Sequence, residues 1–310
     1  MLDRLRHSRY RNDLELLSVV LFWAFNLPVV KVGLREVEPL AYNIVRFLCA
    51  SAVLLFLTRL LEGGLAVGKA DLGRLLLLGL LGHTVYQICF IEGLARTTAS
   101  STALLFGCTP VVVALMSALA GHERIGAAGA AGALLGFYGV YLIVGGKGGM
   151  QGEPAGGTFA GNLLIVCAVL CWSSYTVLAR GMLQRYSPLR VTALSLASGT
   201  LMLIPPAAPS LVRQDWRAVS LLTWAGLVYS FLFALVVSYV LWYRSVKKVG
   251  NLKTAVYSNL VPVFGTISGV WFLGERLTPG LWLGAACILS GIVLTRLRRR
   301  NASPGRAAAA

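Results

Sequence analysis

The sequence predicts an all-α membrane protein of ten transmembrane helices, built as two five-helix repeats of opposite orientation. Of the 310 residues, 57% are hydrophobic and only 13% are charged, whereas roughly a quarter of the residues in a soluble domain are charged. The apolar residues also fall into runs close to the ~20 residues that a helix needs to cross the hydrocarbon layer. The third observation is an internal repeat, which shows which helices are equivalent and predicts their relative orientation.

Each apolar run is predicted to be one helix, because only a helix satisfies its own backbone within lipid. The first repeat, residues 14–144, is predicted to hold Leu14–Val32, Leu40–Leu61, Leu72–Leu94, Thr98–Ala120 and Ile125–Val144. The second repeat, residues 159–297, is predicted to hold Phe159–Leu178, Leu189–Ala207, Val219–Tyr243, Thr254–Leu273 and Leu281–Leu297. Residues 1–13 form the N-terminal segment, 145–158 a glycine-rich linker and 298–310 a basic tail. We expect Pro205, Pro206 and Pro209 to end the seventh helix.

The repeat is visible as matching residues at a nearly constant offset. Glu123-Arg124 recurs as Glu275-Arg276 at an offset of 152 residues, and Trp23 recurs as Trp172 at an offset of 149. Because each copy holds an odd number of helices, the second copy must be inverted in the membrane, as in many secondary transporters. Both Glu residues are predicted to cap the helix that follows them, the fifth and the tenth.

Small residues predict a close contact between the fifth and tenth helices. They recur at helical spacing on both, as Gly129, Gly132, Gly136, Gly139, Gly284 and Gly291. Small residues let two helix backbones approach closely in lipid. A packing pair is the favoured interpretation, and a homodimer face is the alternative, so the protein is expected to be a monomer or a weak dimer.

Lysine and arginine are distributed unevenly among the predicted loops. With the N-terminus in the cytoplasm, 20 of the 28 lie in cytoplasmic segments, 7 lie on the opposite side and Arg46 lies inside a span. The positive-inside rule therefore predicts a multi-pass protein of the cytoplasmic (inner) membrane with both termini in the cytoplasm. The excess of basic residues on the cytoplasmic side accounts for most of the net charge of +16. The basic tail is predicted to contact membrane lipid, and no nucleic-acid partner is expected.

The spans lack the residue types that catalysis and metal binding need. No Asp or Glu lies securely in mid-span, and the six cysteines lie in apolar runs without metal-ligand spacing. Neither a Ser/His/Asp set nor a phosphate-binding loop is present. The sequence therefore predicts no enzyme, no catalytic residue, no metal and no cofactor. It does not indicate strong proton coupling, with His83 as the one possible exception.

Several short motifs, in their order and spacing, resemble the EamA family of the drug/metabolite transporter superfamily. The first half contributes Trp23-Ala-Phe-Asn26 and Thr109-Pro110, and the second Gly250-Asn-Leu-Lys-Thr-Ala-Val-Tyr257 and Leu273-Gly-Glu-Arg-Leu-Thr278. The resemblance covers about Leu14 to Leu297. It implies ten helices as two inverted five-helix repeats around a central cavity. It also implies export or exchange of small metabolites, often amino acids, with aromatic amino-acid exporters as the nearest functional comparison.

Polar residues in mid-span are the first candidates for a substrate site, because lipid-facing positions avoid them. On the third helix, His83, Tyr86 and Gln87 share one face. The repeat maps Gln87 to Tyr239 on the eighth helix, which also has a polar and aromatic face. Hydrogen bonding between helices is the alternative interpretation, and for His83 it is the favoured one.

The remaining candidates lie on four other helices. The repeat pairs Trp23 with Trp172 and Asn26 with Tyr175 on the first and sixth helices, and Tyr257 and Asn259 precede Pro262 on the ninth. Arg46 is a possible charge partner for a substrate carboxylate. Its long side chain could instead extend to the membrane surface or make a structural pair, and we favour these alternatives.

The sequence thus favours a secondary transporter that exports or exchanges small metabolites, above all amino acids, across the cytoplasmic membrane by alternating access. Its expected partners are a small-molecule substrate and membrane lipid. A neutral lining suits a zwitterion better than a phosphate dianion. The alternatives are an exporter of multiple drugs or hydrophobic compounds, a sugar-phosphate or nucleotide-sugar carrier, and a non-transporting membrane scaffold.

Overall fold

The computed structural model describes residues 2–121, 127–145, 155–249, 254 and 257–297, and these ranges contain helices but no strand. Helices lie at the position of every predicted span. The first half holds α1 (Leu2–Gly33), α2 (Pro39–Glu62), α3 (Lys69–Arg96), α4 (Ala99–Leu119) and α5 (Ala127–Gly145). The second holds α6 (Ala155–Leu183), α7 (Pro188–Arg213), α8 (Leu221–Val249), α9 (Ser258–Leu273) and α10 (Pro279–Leu297).

Seven of these helices are long and apolar enough to cross a membrane, within the part of the chain that the structure describes. The apolar parts of the other three are shorter, at Gly129–Gly145 in α5, Ser258–Leu273 in α9 and Pro279–Leu294 in α10. The all-helical membrane fold is therefore established, whereas ten crossings stay a prediction.

Helix α7 continues through its three prolines, so the prediction that they end it is wrong. The helix runs to Arg213, with Pro205, Pro206 and Pro209 inside it. Leu203 and Ala207, on the same stretch, are fully buried and pack against Ile44 of α2. We attribute the continuation to this packing, because the tertiary contacts of a membrane helix can compensate for the few backbone hydrogen bonds that proline removes.

Helices α3 and α8 share an irregularity that the sequence pattern did not reveal. Each contains one six-residue π-helical turn, at Leu80–Val85 in α3 and at Leu232–Val237 in α8. These positions are equivalent at the repeat offset of 152. π-turns are rare and often occur at functional sites. Their presence at equivalent positions therefore makes the middle of both helices a candidate functional segment.

The fifth and tenth helices pack closely, as the small residues predicted. A Cβ atom added to Gly139 would lie 2.6 Å from the carbonyl oxygen of Gly284. One added to Gly291 would lie 2.5 Å from the carbonyl oxygen of Gly132. The backbones are therefore too close for any side chain at these crossings, and the packing-pair interpretation is confirmed.

The two halves are tied together at both ends of the helical bundle. At the α1–α2 end, defined by the loop 34–38, the carboxylates of Glu36 and Glu38 bind Ser220 and Arg213 of the α7–α8 region. At the α2–α3 end, defined by the loop 63–68, Asp71 and Glu62 bind Arg185 and Ser187 of the α6–α7 region. Each contact joins segments that the charge distribution predicts to lie on the same side of the membrane.

Glu275 caps a different helix from the one predicted. Its carboxylate accepts hydrogen bonds from the backbone amides of Ala99 and Ser100, at 2.7 and 2.8 Å, and so caps α4. At the start of α10 the cap is the hydroxyl oxygen of Thr278, which accepts from the amide of Leu281. A carboxylate at a helix N-terminus interacts favourably with the helix dipole, but here the helix belongs to the other repeat. The predicted counterpart, Glu123, lies outside the described residues.

Candidate functional site

Arg46 lies in the interior of the bundle, where α2, α3 and α8 meet. Its guanidinium donates hydrogen bonds to Ser230 of α8 at 3.0 Å, to Asn43 at 2.8 Å and to Gln87 of α3 at 2.9 Å. Only 1% of the residue is exposed. The side chain therefore does not extend to the surface, and that interpretation of Arg46 is wrong.

The partners of this buried cation are electrically neutral. Among the described residues, Arg46 forms no ion pair, and its acceptors are two amide oxygens and one hydroxyl oxygen. The rings of Phe47 and Phe90 lie 5.3 and 5.9 Å from its guanidinium carbon, within the range of a cation–π interaction. Because an ionised group in the membrane interior is costly without a counter-charge, this arrangement leaves a positive site that an anion can complement.

Asn26 joins the same network from α1. The hydroxyl group of Ser230 donates to the side-chain oxygen of Asn26 at 2.7 Å while it accepts from Arg46. The network therefore connects α1, α2, α3 and α8. The predicted residues Asn26, Gln87 and Arg46 therefore belong to one hydrogen-bonded group. This group also contains Asn43 and Ser230, and we call it the Arg46 cluster.

A second polar and aromatic group lies on the α6–α7 side of α3. His83 Nε2 lies 3.2 Å from the hydroxyl oxygen of Ser195, and the Tyr175 hydroxyl lies 3.5 Å from the same atom. The His83 ring meets the Tyr175 ring edge to face at 5.3 Å. His83 is thus a buried, hydrogen-bonded residue, and it contacts the sixth-helix aromatic residues with which it was predicted to share a site.

Stacked rings link the two groups. Tyr86 lies 5.2 Å from Trp172 and 6.0 Å from Phe90, measured between ring centroids, and Trp172 stacks on Tyr175 at 5.1 Å. Since Phe90 also contacts the Arg46 guanidinium, a continuous path of rings leads from the cation to His83. The π-turn Leu80–Val85 contains His83 and ends just before Tyr86 and Gln87. Its geometry therefore determines the directions in which these side chains leave the helix.

The remaining four predicted residues lie on α1, on α8 and at the start of α9. The indole nitrogen of Trp23 donates to the Ala234 carbonyl in the π-turn of α8 at 2.9 Å. Tyr257 donates to Asp13 near the start of the apolar part of α1 at 2.8 Å. Tyr239 is partly buried against a hydrophobic cluster that contains Phe47, and Asn259 is partly buried in the 3₁₀-turn Ser258–Leu260.

Three polar residues of the site were not predicted. Asn43 precedes Arg46 by three residues, so both lie on one face of α2, and this spacing could have revealed it. Ser195 and Ser230 could not have been found in this way, because serine is common in membrane helices as a packing residue. Only the fold brings their hydroxyl groups to His83 and Arg46.

Neither a metal cluster nor a large central cavity appears at these residues. Across the described residues, no group of three or more His, Cys, Asp or Glu side chains is arranged to hold a metal ion. A shallow depression is lined by Leu75, Met182 and Leu194, among others, but by none of the predicted site residues. The central cavity therefore stays a prediction.

The fold and the buried polar group define a class: an integral membrane protein of two similar helical halves. The model of the EamA-like transporter family matches the chain twice, at residues 13–145 and 159–297. The chain therefore belongs to this family, as its motifs indicated.

Individual relatives agree with the family assignment. An uncharacterized transporter of Archaeoglobus fulgidus is 31% identical over 291 residues, which cover 94% of this chain and 99% of the relative. A probable terminal-alkyne amino-acid exporter of Streptantibioticus cattleyicolor is 28% identical over 299 residues, which cover 94% and 97%. A solved crystal structure with 21% identity has a TM-score of 0.65 and covers 95% of this chain and 99% of its own, which supports the fold.

Proposed function

We propose that this protein exports or exchanges small metabolites, with amino acids as the favoured class, across the cytoplasmic membrane by alternating access. The observation that carries the proposal is the buried Arg46 guanidinium, whose hydrogen-bond partners among the described residues are all neutral and which adjoins a path of aromatic rings. A molecule with a carboxylate and an apolar body complements both features. An amino acid has both.

The contacts between the halves suit alternating access. In this mechanism the two halves rock around a fixed midplane site and expose it to one side at a time. The Glu38–Arg213 contact closes the α1–α2 end and the Asp71–Arg185 contact closes the α2–α3 end. Opening either end requires the contacts at that end alone to break, while those at the other end hold the halves together.

Two further arguments favour amino acids over other metabolites. A phosphate dianion would call for several Lys or Arg residues, and Arg46 is the only one that the sequence clearly places inside a span. In addition, one relative that matches nearly the whole chain is named a probable terminal-alkyne amino-acid exporter. We propose Asn26, His83, Tyr86, Gln87, Trp172 and Tyr175 as the lining of the site, with Trp23, Tyr239, Tyr257 and Asn259 near its edges.

The test is counterflow into liposomes that contain the purified protein. Vesicles are loaded with an unlabelled amino acid, and the uptake of the same labelled compound is measured across a panel, with and without a pH gradient. We expect uptake for at least one amino acid with an apolar or aromatic side chain. If no amino acid is taken up under either condition, the amino-acid proposal is wrong.

A matched pair of variants connects the flux to the site. Gln87→Ala removes a buried hydrogen-bond partner of Arg46 and should lower the uptake rate about tenfold or more. Trp282→Phe changes a residue that is 64% exposed on the outer surface of the bundle and should leave the rate unchanged. Equal rates in both variants, with equal amounts of folded protein, would remove Gln87 from the site.

A further inference from the structure

Among the described residues, Asn43 and Arg46 of α2 each have a buried donor atom without a hydrogen-bond partner, as does the neighbouring Tyr42 hydroxyl. Arg46 uses both of its terminal nitrogens, toward Ser230, Asn43 and Gln87, but its Nε has no partner. Asn43 uses its side-chain oxygen to accept from Arg46, and its Nδ2 has no partner. The two residues are 1% and 0% exposed. A purely structural network would be expected to satisfy such atoms, because an unpaired buried donor is destabilising.

We propose that Arg46 and Asn43 form the subsite that binds the carboxylate of the transported molecule. Arg46 Nε and Asn43 Nδ2 donate to the two carboxylate oxygens, while Ser230 and Gln87 hold the guanidinium in place. This assignment rests on the proposed transport function. It adds Asn43 as a binding residue and makes the carboxylate a required feature of the ligand.

The aromatic rings of the protein select the part of the ligand that is attached to its carboxylate. Phe47 and Phe90 lie beside the guanidinium, and Tyr86 and Trp172 follow along the path of rings. Gln87 and His83 lie about one helical turn apart, roughly 5 Å, which suits a single small molecule. The ligand class is therefore a monocarboxylate with an apolar or aromatic body, with its carboxylate toward Asn43 and its body toward Trp172.

The π-turns suggest how the closed site becomes accessible. Ser230 lies two residues before the π-turn of α8, and Gln87 lies two residues after the π-turn of α3. A change in the hydrogen-bond register of either turn would rotate these partners relative to Arg46. The free Arg46 Nε and Asn43 Nδ2 donors would then become accessible to the incoming carboxylate.

The test compares three probes that share one aromatic body: L-phenylalanine, phenylacetate and L-phenylalaninamide. Their binding to the purified full chain in lipid nanodiscs is measured by isothermal titration calorimetry. We expect L-phenylalanine and phenylacetate to bind, and the amide to bind about tenfold more weakly or worse, because it lacks the charge that Arg46 pairs with. Equal affinity for all three probes, or binding of the amide alone, would overturn the carboxylate subsite.

The decisive variant is Asn43→Asp. It replaces the free donor by an oxygen and supplies an internal carboxylate that pairs with Arg46. Carboxylate binding should fall about tenfold or more, while thermal stability is maintained or increased. Unchanged carboxylate affinity in this variant would contradict the subsite. The matched control is Ser51→Ala, farther along α2, which should leave affinity unchanged.

Arg46→Gln extends the test, and the results separate the two proposals. Arg46→Gln should abolish the preference for phenylacetate over L-phenylalaninamide. If Asn43→Asp eliminates carboxylate binding but no amino acid is transported, the subsite stands and the proposed function fails. If amino acids are transported and Asn43→Asp binds them normally, the function stands and the subsite is wrong.

Discussion

Ser51 of α2 and Thr200 of α7 hydrogen-bond to each other through their hydroxyl groups at 2.8 Å, across a sequence separation of 149 residues. That separation is the repeat offset of this part of the chain, so each residue is the equivalent of the other. Equivalent residues can touch only close to the axis that relates the two halves. The α2–α7 contact therefore lies at this axis.

The same offset exposes the asymmetry of the candidate site. It pairs Arg46 with Ser195, five residues before Ser51 and Thr200 on the same two helices. Arg46 binds Gln87 and Ser230, whereas Ser195 contacts His83 and Tyr175. One half thus supplies a cation and the other a neutral hydroxyl at equivalent positions. The two similar halves therefore form a candidate site whose two ends differ chemically.

Loss of the Glu275 carboxylate should destabilise the protein through α4. Glu275→Ala leaves the amides of Ala99 and Ser100 without their acceptor, which costs about 0.5–2 kcal/mol for a helix cap. The measurement is thermal unfolding of the purified protein in nanodiscs. Arg276→Ala, at the exposed neighbouring position, is the control and should unfold as the wild type does. Equal melting temperatures for both variants would show that the cap contributes nothing.

Alanine should have opposite effects at two glycines of α5. In Gly139→Ala the new methyl group would lie 2.6 Å from the Gly284 carbonyl oxygen, so α5 and α10 must separate, at a cost of about 1–3 kcal/mol. At Gly145 nothing lies within 4 Å of the position that a Cβ atom would take, and Gly145→Ala should be neutral or slightly stabilising. The yield of monodisperse protein and its melting temperature would distinguish them. Similar values would contradict the close α5–α10 crossing.

Trp23→Phe should weaken the π-turn of α8 without removing the aromatic contact. Phenylalanine can still pack on Trp242, whose ring lies 5.2 Å from that of Trp23, but it cannot donate to the Ala234 carbonyl. We expect a loss of about 0.5–1.5 kcal/mol in unfolding free energy and a lower transport rate. Trp271→Phe, at a residue 80% exposed, is the matched control. An unchanged rate and stability in Trp23→Phe would mean that this hydrogen bond is dispensable.

The loop 34–38 should be sensitive to acid. The Glu36 carboxylate accepts from the backbone amide of Ser220 at 2.8 Å and from its hydroxyl at 2.9 Å. These hydrogen bonds, from the Ser220 amide first, then the Ser220 hydroxyl, and then the Thr223 hydroxyl, hold the pKa of Glu36 below its ordinary value of 4.5. Because the folded pKa is the lower one, the contact stabilises the protein fully above pH 4.5 and is lost as the pH falls through the folded pKa.

Glu36→Gln tests this dependence. The difference in melting temperature between the wild type and the variant should be largest at neutral pH and should shrink as the pH falls below 4.5 and through the lowered pKa of Glu36. The measurement is thermal unfolding in a series of buffers of equal ionic strength. A constant difference across the series would show that Glu36 does not contribute through its charge.

Sequence reasoning identified part of the site and missed the rest for a clear reason. His83, Tyr86 and Gln87 share a helix face, and periodicity alone predicts that they point the same way. The partner of His83, Ser195, lies 112 residues away in the chain, and Ser230 lies 184 residues from its partner Arg46. Periodicity is a property of one helix, so it cannot say which neighbouring helix completes a site.

The sequence by itself determined the helical membrane fold, the family and the duplication, because hydrophobic run length and repeated motifs are properties of the linear chain. Only the tertiary structure decided that Glu275 caps α4, that α7 continues through its prolines and that Arg46 turns inward to neutral partners. Each of these outcomes depends on which groups from distant segments lie within hydrogen-bonding or packing distance. These hydrogen bonds and packing contacts act only over short distances, so they form only when the helices pack together.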